Sequence, residues 1–199
     1  MSNRADQSAA ARRAMVSNQL RPQGVTDAGV LDAMSAVRRE DYLPAKFAQF
    51  AYVDRSLLMD DGSPILPPAE IGQLLNQLSP RAGMSALVIG GGGAYSAALL
   101  RHMGLRVDIA ASAEDADKGP YDLILIEGAA QQFPRGLAGK LIPGGRIGGA
   151  VIEDGVTRLA TGLGDGKTFS FTTFAEGQVP LLASFNRPPA FKFQGLETQ

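Results

Sequence analysis

The sequence contains no cysteine and only one histidine, His102, among its 199 residues. Without cysteine the chain can form no disulfide, no thiolate zinc site and no catalytic thiol, and one histidine cannot build a histidine-based metal centre. These absences exclude catalytic triads, zinc hydrolases and redox dithiols, and we expect no metal. No stretch approaches the ~20 apolar residues of a membrane span, and the N-terminus has no apolar signal core. We therefore expect a cytoplasmic protein that does not associate with membranes.

The sequence also lacks an excess of charge of either sign. Lysine and arginine total 19, aspartate and glutamate total 20, and the formal net charge is −1. Binding to nucleic acid requires positive charge gathered on one face, so we do not expect a nucleic-acid partner. The Arg12-Arg13 and Arg38-Arg39 pairs are interpreted as solvated charges at helix ends. The length suits one domain with a substantial core and is short for two.

From residue 84 onward, short apolar runs alternate with helical patterns. The runs are typical of strands buried on both faces. They occupy residues 86–89, 105–110, 121–126 and 143–152, and a short helix is predicted over 134–141. Asp165-Gly166 indicates a hairpin, and residues 179–185 are predicted as the last strand. The pattern predicts an α/β fold with a mostly parallel sheet and an antiparallel C-terminal strand.

Residues 1–80 are expected to be largely helical. One helix is predicted over 5–20, a second is capped by Asp27, and a third begins at Pro67-Pro68. Between the last two, residues 38–68 carry four prolines and no sustained period. The aromatic side chains of this long connection indicate that it packs against the protein. We expect residues 1–80 to pack on a core formed by 81–193, in one compact domain.

Gly90, Gly91, Gly92 and Gly93 stand between the first buried strand and the helix that follows it. In an open parallel sheet, ligands bind outside the carboxyl ends of the strands, and glycines in this turn let the backbone approach a nucleotide. Such turns also occur only to pack a helix on a sheet. The turn alone therefore leaves adenosine-type cofactor binding and helix packing as equal alternatives.

Two further positions bear on a nucleotide site. The acid expected at the end of the second strand, where it would hold ribose hydroxyls, is replaced by Ala111. Glu127 follows the central strand at its carboxyl end, which makes it a candidate site residue; the alternative is an exposed loop acid.

Several segments together resemble the protein-L-isoaspartate O-methyltransferases. The resemblance extends over roughly residues 12–186, and the N-terminal segments are its most specific part. The segments are Val16-x-x-Gln-Leu20, Gly24-Val-x-Asp27, Arg39-Glu-Asp-Tyr-Leu-Pro44, Ala51-Tyr-x-Asp54, Val88-Ile-Gly-Gly-Gly-Gly-Ala-Tyr95 and Leu141-Ile-Pro-Gly-Gly-Arg146.

The resemblance implies a Rossmann-like class I methyltransferase sheet with an N-terminal helical extension. It implies S-adenosylmethionine as cofactor and methylation of L-isoaspartyl carboxylates in damaged proteins or peptides. The implied cofactor-binding residues are Gly90, Gly91, Gly92, Gly93 and Glu127, and the implied substrate-binding residues are Ser63, Ile65 and Leu66. No catalytic side chain is implied, because the carboxylate is already ionised and the sulfonium is an activated leaving group, so alignment suffices.

Three departures from the family pattern fall on the implied site. The glycine motif begins with Val88 in place of an acid, and Ala111 replaces the ribose-binding acid. Leu66 stands where the family has a serine beside the substrate carboxylate, and leucine cannot donate a hydrogen bond. About ten residues, 111–120, replace a helix, a strand and a loop, so we expect a sheet truncated at one edge.

Two functions are compatible with these observations. The first is an active or weakly active isoaspartyl methyltransferase. The second is a non-catalytic relative that keeps the fold as a binding or assembly module. The truncated edge exposes the second strand, which either pairs with a second copy to form a homo-oligomer or is protected by Asp108.

Overall fold

The computed structural model describes residues 2–90, 92–116, 118–131, 133 and 135–185. Its strands are β1 (Leu57–Leu58), β2 (Pro64–Ile65), β3 (Ser85–Ile89), β4 (Arg106–Ala110), β5 (Tyr121–Ala130), β6 (Leu141–Glu153), β7 (Val156–Gly164) and β8 (Phe169–Glu176). The first two form a small antiparallel hairpin, and the other six form one sheet in the order β4-β3-β5-β6-β7-β8.

The main sheet is parallel at one end and antiparallel at the other. The pairs β3–β4, β3–β5 and β5–β6 are parallel, whereas β6–β7 and β7–β8 are antiparallel. The predicted α/β class and mostly parallel sheet with an antiparallel end are confirmed, and the antiparallel end consists of β7 and β8. The predicted hairpin at Asp165-Gly166 is confirmed, because it joins β7 to β8.

Four α-helices accompany the strands. They are α1 (Ser2–Met15), α2 (Ala28–Ala36), α3 (Pro68–Leu78) and α4 (Ala94–His102). The helix predicted over 5–20 is α-helical only to Met15 and continues as a π-helical turn, Val16–Leu20. Short 3₁₀ segments cover Arg39–Tyr42, Ala45–Phe50 and Arg135–Lys140. The last of these replaces the helix predicted over 134–141, of which residue 134 lies outside the described residues.

Local chemistry accounts for the starts of α2 and α3. The Asp27 carboxylate accepts a hydrogen bond from the Val30 amide at 3.1 Å, which satisfies a free donor of the first turn. Pro68 is the first residue of α3. The amide at this position has no partner within the helix, so the amide hydrogen that proline lacks is not needed. Both predicted starts are confirmed, and each helix turns its apolar side chains into the core.

The core lies on both faces of the sheet. On one face, Leu20 and Met34 of the helical region pack in the same buried cluster as Val88 and Leu123 of the strands. On the other face a smaller cluster surrounds Phe133, whose ring stacks on that of Phe171 with centroids 4.5 Å apart. The N-terminal helices therefore complete the core that positions the end of β3.

The strand predicted over 179–185 is wrong. Only Leu181 forms a bridge, to Ala129 of β5, and a 3₁₀ turn, Ala183–Phe185, follows. Pro180 lies within this segment and has no amide hydrogen to donate to a strand ladder. The segment instead crosses the end of β5, where the Ala129 amide donates to the Pro180 carbonyl and the Leu182 amide donates to the Ala129 carbonyl, both at 2.8 Å.

The sheet ends at β4, as expected for a truncated edge. Residues 111–116 and 118–120, which lead to β5, contain no helix or strand. Asp108 on β4 accepts hydrogen bonds from Lys118 at 3.0 Å and from the Tyr121 hydroxyl at 3.1 Å, and both place polar groups along the edge. Among the helices that the structure describes, none is long and apolar enough to cross a membrane.

Candidate functional site

The glycine turn lies where the sequence predicted it, between β3 and α4. Gly90 has φ of +132°, which is strained for any L side chain. Its amide donates to the Ala110 carbonyl of β4 at 3.0 Å, and the Gly93 amide donates to the Gly90 carbonyl at 3.2 Å. Gly91 lies outside the described residues. The turn is therefore fixed against the end of the neighbouring strand.

Neighbouring protein atoms pack directly on this turn. A Cβ atom added at Gly92 would lie 2.7 Å from the Pro64 carbonyl oxygen and 2.9 Å from Oε2 of Glu127. A Cβ atom added at Gly93 would lie 2.9 Å from Cγ1 of Val88. Real Cβ atoms do not approach so closely, so glycine is needed at both positions for packing within the chain. This observation supports the packing alternative for the turn.

Glu127 lies inside the protein beside the glycine turn. The strand pairing places Ile126 opposite Ile89, so Glu127 follows just beyond the end of β3 and next to Gly90. Its relative exposure is 1%. The alternative of an exposed loop acid is therefore wrong, whereas its predicted role in cofactor binding stays a prediction.

Three more polar residues are buried around Glu127. Arg39 is 2% exposed, and its Nη2 donates to the Leu66 carbonyl at 2.5 Å. Its guanidinium carbon lies 4.9 Å from the ring centroid of Tyr95, and Tyr95 and Ser96 are buried in the first turn of α4. The interpretation of Arg39 as a solvated charge is wrong. An arginine within an irregular, aromatic-rich segment was the only available sign of this cluster.

The cluster has hydrogen-bonding capacity that the described residues do not use. Three of its buried side-chain atoms have no hydrogen-bond partner there: Arg39 Nε and Nη1 and Tyr95 Oη. A buried polar group without a partner costs about 1–3 kcal/mol, so native proteins rarely gather several. Such groups gathered beside a ligand-type turn mark this region as the candidate functional site.

Burial dominates the electrostatics of the site. It raises the pKa of Glu127, and the Ser96 hydroxyl and the Arg39 guanidinium oppose that rise. Burial likewise lowers the pKa of Arg39, opposed by Tyr95 first and then by Glu127. The pKa of Tyr95 is raised, again chiefly by burial. Arg39 and Glu127 therefore influence each other in a region with little water.

The three predicted substrate-binding residues lie on or beside the β1–β2 hairpin. Ile65 and Leu66 are 3% and 1% exposed, so their side chains belong to the buried interior. The Ser63 hydroxyl donates to Oδ1 of Asp61 at 2.6 Å. Their role in substrate binding stays a prediction. What the structure brings to the glycine turn is backbone, the Pro64 carbonyl and the Cα atom of Ile65.

The residues present do not fit S-adenosylmethionine. At Gly92, the Pro64 carbonyl and the Glu127 carboxylate pack against the turn that would hold the cofactor. Strand β4 ends at Ala110 and is followed by exposed Ala111, so no acid stands where ribose hydroxyls would be held. A cofactor of this size needs a concave space, and here protein atoms occupy that place.

Comparison with solved structures defines the class of fold. The chain is similar to a Plasmodium falciparum protein-L-isoaspartate O-methyltransferase in complex with S-adenosyl-L-homocysteine, with a TM-score of 0.70 and 16% identity. The match covers 87% of this chain and 98% of that one. The fold is the Rossmann-like fold of class I methyltransferases.

Sequence comparison defines the family. The family model described as protein-L-isoaspartate(D-aspartate) O-methyltransferase matches residues 11–118. A relative from Methylorubrum populi, named protein-L-isoaspartate O-methyltransferase, is 34% identical over 69% of this chain and 78% of its own length. A relative of the same name from Gloeobacter violaceus is 30% identical over 78% of this chain and 93% of its own length. The chain belongs to the protein-L-isoaspartate O-methyltransferase family.

Proposed function

We propose that this protein is a divergent member of its family in which methyl transfer is lost, and that it acts as a non-catalytic binding module. The observation that carries the proposal is the contact at Gly92. The Pro64 carbonyl and the Glu127 carboxylate lie so close to Gly92 that no ligand atom fits between them.

Opening this cleft would disturb buried structure. Moving Pro64 away from Gly92 displaces β2 and the adjoining Leu66, whose carbonyl accepts the hydrogen bond from Arg39. Arg39 would then lose its only described hydrogen bond while remaining buried, which is costly for a charged group. The closed arrangement is therefore stabilised by contacts beyond the hairpin itself.

The partner class follows from the family. The relatives are named for L-isoaspartate, and isoaspartyl-containing proteins or peptides are the partners that we propose for this chain. The setting that we propose is the cytoplasm. The free edge of β4 is a second proposed contact, through which two copies would pair strand to strand.

The experiment uses two peptides that differ only in an L-isoaspartyl or an L-aspartyl residue. Fluorescence anisotropy measures binding of each, and transfer of labelled methyl groups from S-adenosylmethionine measures catalysis. We expect preferential binding of the isoaspartyl peptide and no methyl ester above background. Repeated turnover would overturn the proposal, and equal binding of both peptides would remove isoaspartate as the recognised group.

One observation favours a second candidate, an active methyltransferase with a mobile cover. The tip of the β1–β2 hairpin, Asp60-Asp61-Gly62, is exposed, and Asp60 contacts the Ala45–Phe50 segment through a solvent-exposed ion pair with Lys46, a type of contact that contributes little stability. The glycine turn beneath keeps the strand-turn-helix arrangement of a nucleotide site. In this alternative the hairpin moves away from the glycine turn to admit the cofactor. Repeated turnover in the methyl-transfer measurement would favour this candidate, and absence of methyl ester would favour the first.

A further inference from the structure

Three Asp-Gly pairs stand in turns of this chain, and in each the aspartate is exposed. An aspartate that precedes glycine is open to attack on its side-chain carboxyl by the next backbone nitrogen, because glycine has no Cβ atom to obstruct the approach. The three pairs therefore carry the same reactive groups in different surroundings. They are Asp61-Gly62 at the tip of the β1–β2 hairpin, Asp154-Gly155 between β6 and β7, and Asp165-Gly166 between β7 and β8.

Two of the three carboxylates are held by donors of their own turns. Oδ1 of Asp61 accepts hydrogen bonds from the Ser63 hydroxyl at 2.6 Å and from the Ser63 amide at 2.9 Å. Oδ1 of Asp165 accepts from the Lys167 amide at 2.7 Å and the Thr168 amide at 2.6 Å, and Oδ2 accepts from the Thr168 hydroxyl at 3.1 Å. These bonds hold each carboxylate toward its donors and oppose its rotation toward the glycine nitrogen.

The same hydrogen bonds stabilise the ionised carboxylates. The Ser63 hydroxyl and then the Ser63 amide lower the pKa of Asp61, and the Thr168 amide and then the Lys167 amide lower the pKa of Asp165. Ring closure proceeds from the protonated carboxyl, because its hydroxyl leaves as water, whereas a carboxylate would have to release oxide. A lowered pKa leaves less of this reactive form at a given pH.

Asp154 lacks both kinds of protection. Its carboxylate makes no hydrogen bond or ion pair with any residue that the structure describes. The Gly155 amide, in the same part of the chain, donates to no described carbonyl. A Cβ atom added at Gly155 would meet no atom within 4 Å, so no neighbour packs against the turn there. The attacking nitrogen and the carboxyl of this pair are both unoccupied.

The backbone of Asp154 favours a change of conformation. Its φ is +51°, in the left-handed region that a residue with a Cβ atom adopts at a cost. The attack requires the turn to leave this conformation, which relieves the strain. Asp154 and Gly155 alone connect Glu153 to Val156, which pair with each other in the sheet, so the movement disturbs only the end of one hairpin.

We propose that Asp154-Gly155 is a site at which this chain forms isoaspartate. The Gly155 nitrogen bonds to Cγ of Asp154, the Cγ–O bond of the protonated carboxyl breaks, and the hydroxyl leaves as water with the amide proton. The product is a five-membered succinimide. Solvent water then adds to the main-chain carbonyl carbon of Asp154 and breaks its bond to nitrogen, which leaves the chain linked through Cγ. Addition of water at Cγ restores aspartate instead.

Ageing of the full chain in mildly acidic buffer at body temperature, followed by trypsin digestion and electron-transfer fragmentation, tests the proposal. Trypsin separates Asp61, Asp154 and Asp165 onto the peptides 56–81, 147–158 and 159–167. Fragmentation at a residue linked through Cγ gives ions that aspartate does not give. We expect isoaspartate to accumulate at Asp154 at least about threefold faster than at either other site, because their carboxylates must first lose charge-assisted hydrogen bonds.

Two controls make the result specific to the turn. Ageing in guanidinium chloride removes the turn contacts, so the three sites should then convert at rates within about twofold of one another. Asp154→Glu should abolish the signal of peptide 147–158, because the equivalent six-membered ring closes slowly, and should leave the other two peptides unchanged. Thermal unfolding of this variant verifies the fold.

The proposal is overturned by equal conversion at the three sites in the folded chain, or by faster conversion at Asp61 or Asp165. It is also overturned if Asp154 shows no isoaspartate over a time in which the denatured chain converts, or if the denatured chain shows the same order of rates as the folded one. The reaction needs only this chain and water, so the result does not depend on the peptide-binding and methyl-transfer measurements.

Discussion

At the scale of single residues, Leu66 shows how one substitution can change the use of a whole segment. The resemblance places a serine of the family at this position, beside the substrate carboxylate, whereas Leu66 is 1% exposed and packs in the main core. Its carbonyl still serves a polar role, because it accepts the hydrogen bond from buried Arg39. The Leu66 side chain therefore belongs to the core, and the Leu66 carbonyl binds Arg39 at the candidate site.

Restoring a serine at this position tests that interpretation. Leu66→Ser removes a fully buried isobutyl group and buries a hydroxyl, so we expect the free energy of unfolding to fall by about 2–5 kcal/mol. Leu58→Ser, at a site 54% exposed in the same hairpin, should change it by less than about 1 kcal/mol. Denaturant unfolding measures both. Equal losses, or a stable Leu66→Ser variant, would show that Leu66 is not a core residue.

At the scale of structural elements, the β1–β2 hairpin and the glycine turn hold each other in place. The hairpin is only two residue pairs long, Leu57 with Ile65 and Leu58 with Pro64. A hairpin of this size has little stability of its own. Its position therefore depends on the contacts that Pro64 and Leu66 make with the turn and with Arg39.

A methyl group at Gly92 should disrupt this contact. Gly92→Ala places Cβ 2.7 Å from the Pro64 carbonyl, a backbone atom that cannot move alone. We expect a loss of about 1–3 kcal/mol and faster amide hydrogen exchange in residues 57–66. Gly139→Ala, where no atom lies within 4 Å of the added Cβ, should change neither the free energy of unfolding nor amide exchange in residues 57–66. Unchanged exchange in Gly92→Ala would mean that the hairpin does not rest on the turn.

Elements with a local chemical signal could be predicted from the sequence. The signals are Asp27 at the start of α2, Pro68 at the start of α3 and Asp165-Gly166 between β7 and β8. Each determines the backbone conformation only of residues close to it in the sequence. In the last case Asp165 accepts hydrogen bonds from the Lys167 and Thr168 amides, at 2.7 and 2.6 Å. The glycine turn was predictable for the same reason.

The features that the sequence did not predict depend on contacts between distant parts of the chain. The charge of Arg39 suggests solvent, and its burial results from packing against Leu66 and Tyr95. The apolar run at 179–185 resembles a strand, but it pairs only at Leu181, with Ala129 of β5. Pro64, Gly92 and Glu127 belong to three separate segments of the chain. No local sequence pattern could therefore predict that they meet.

At the scale of the whole molecule, the chain has a core on both faces of its main sheet, and we propose that its cofactor cleft is closed. Apolar clusters cover both faces of the main sheet, and the N-terminal helices contribute to one of them. The sheet ends at β4, without a further strand at that edge in the described residues. The fold of the family is thus kept, and we propose that Pro64 and Glu127 fill the space for its cofactor.

Titration calorimetry of the unmodified protein with S-adenosylhomocysteine measures directly whether the cleft is closed. Because the hairpin and Glu127 must both leave Gly92 before a nucleoside can enter, we predict no saturable heat up to about millimolar ligand, which corresponds to less than about 4 kcal/mol of binding free energy. Saturable one-to-one binding in the micromolar range would contradict the closed cleft.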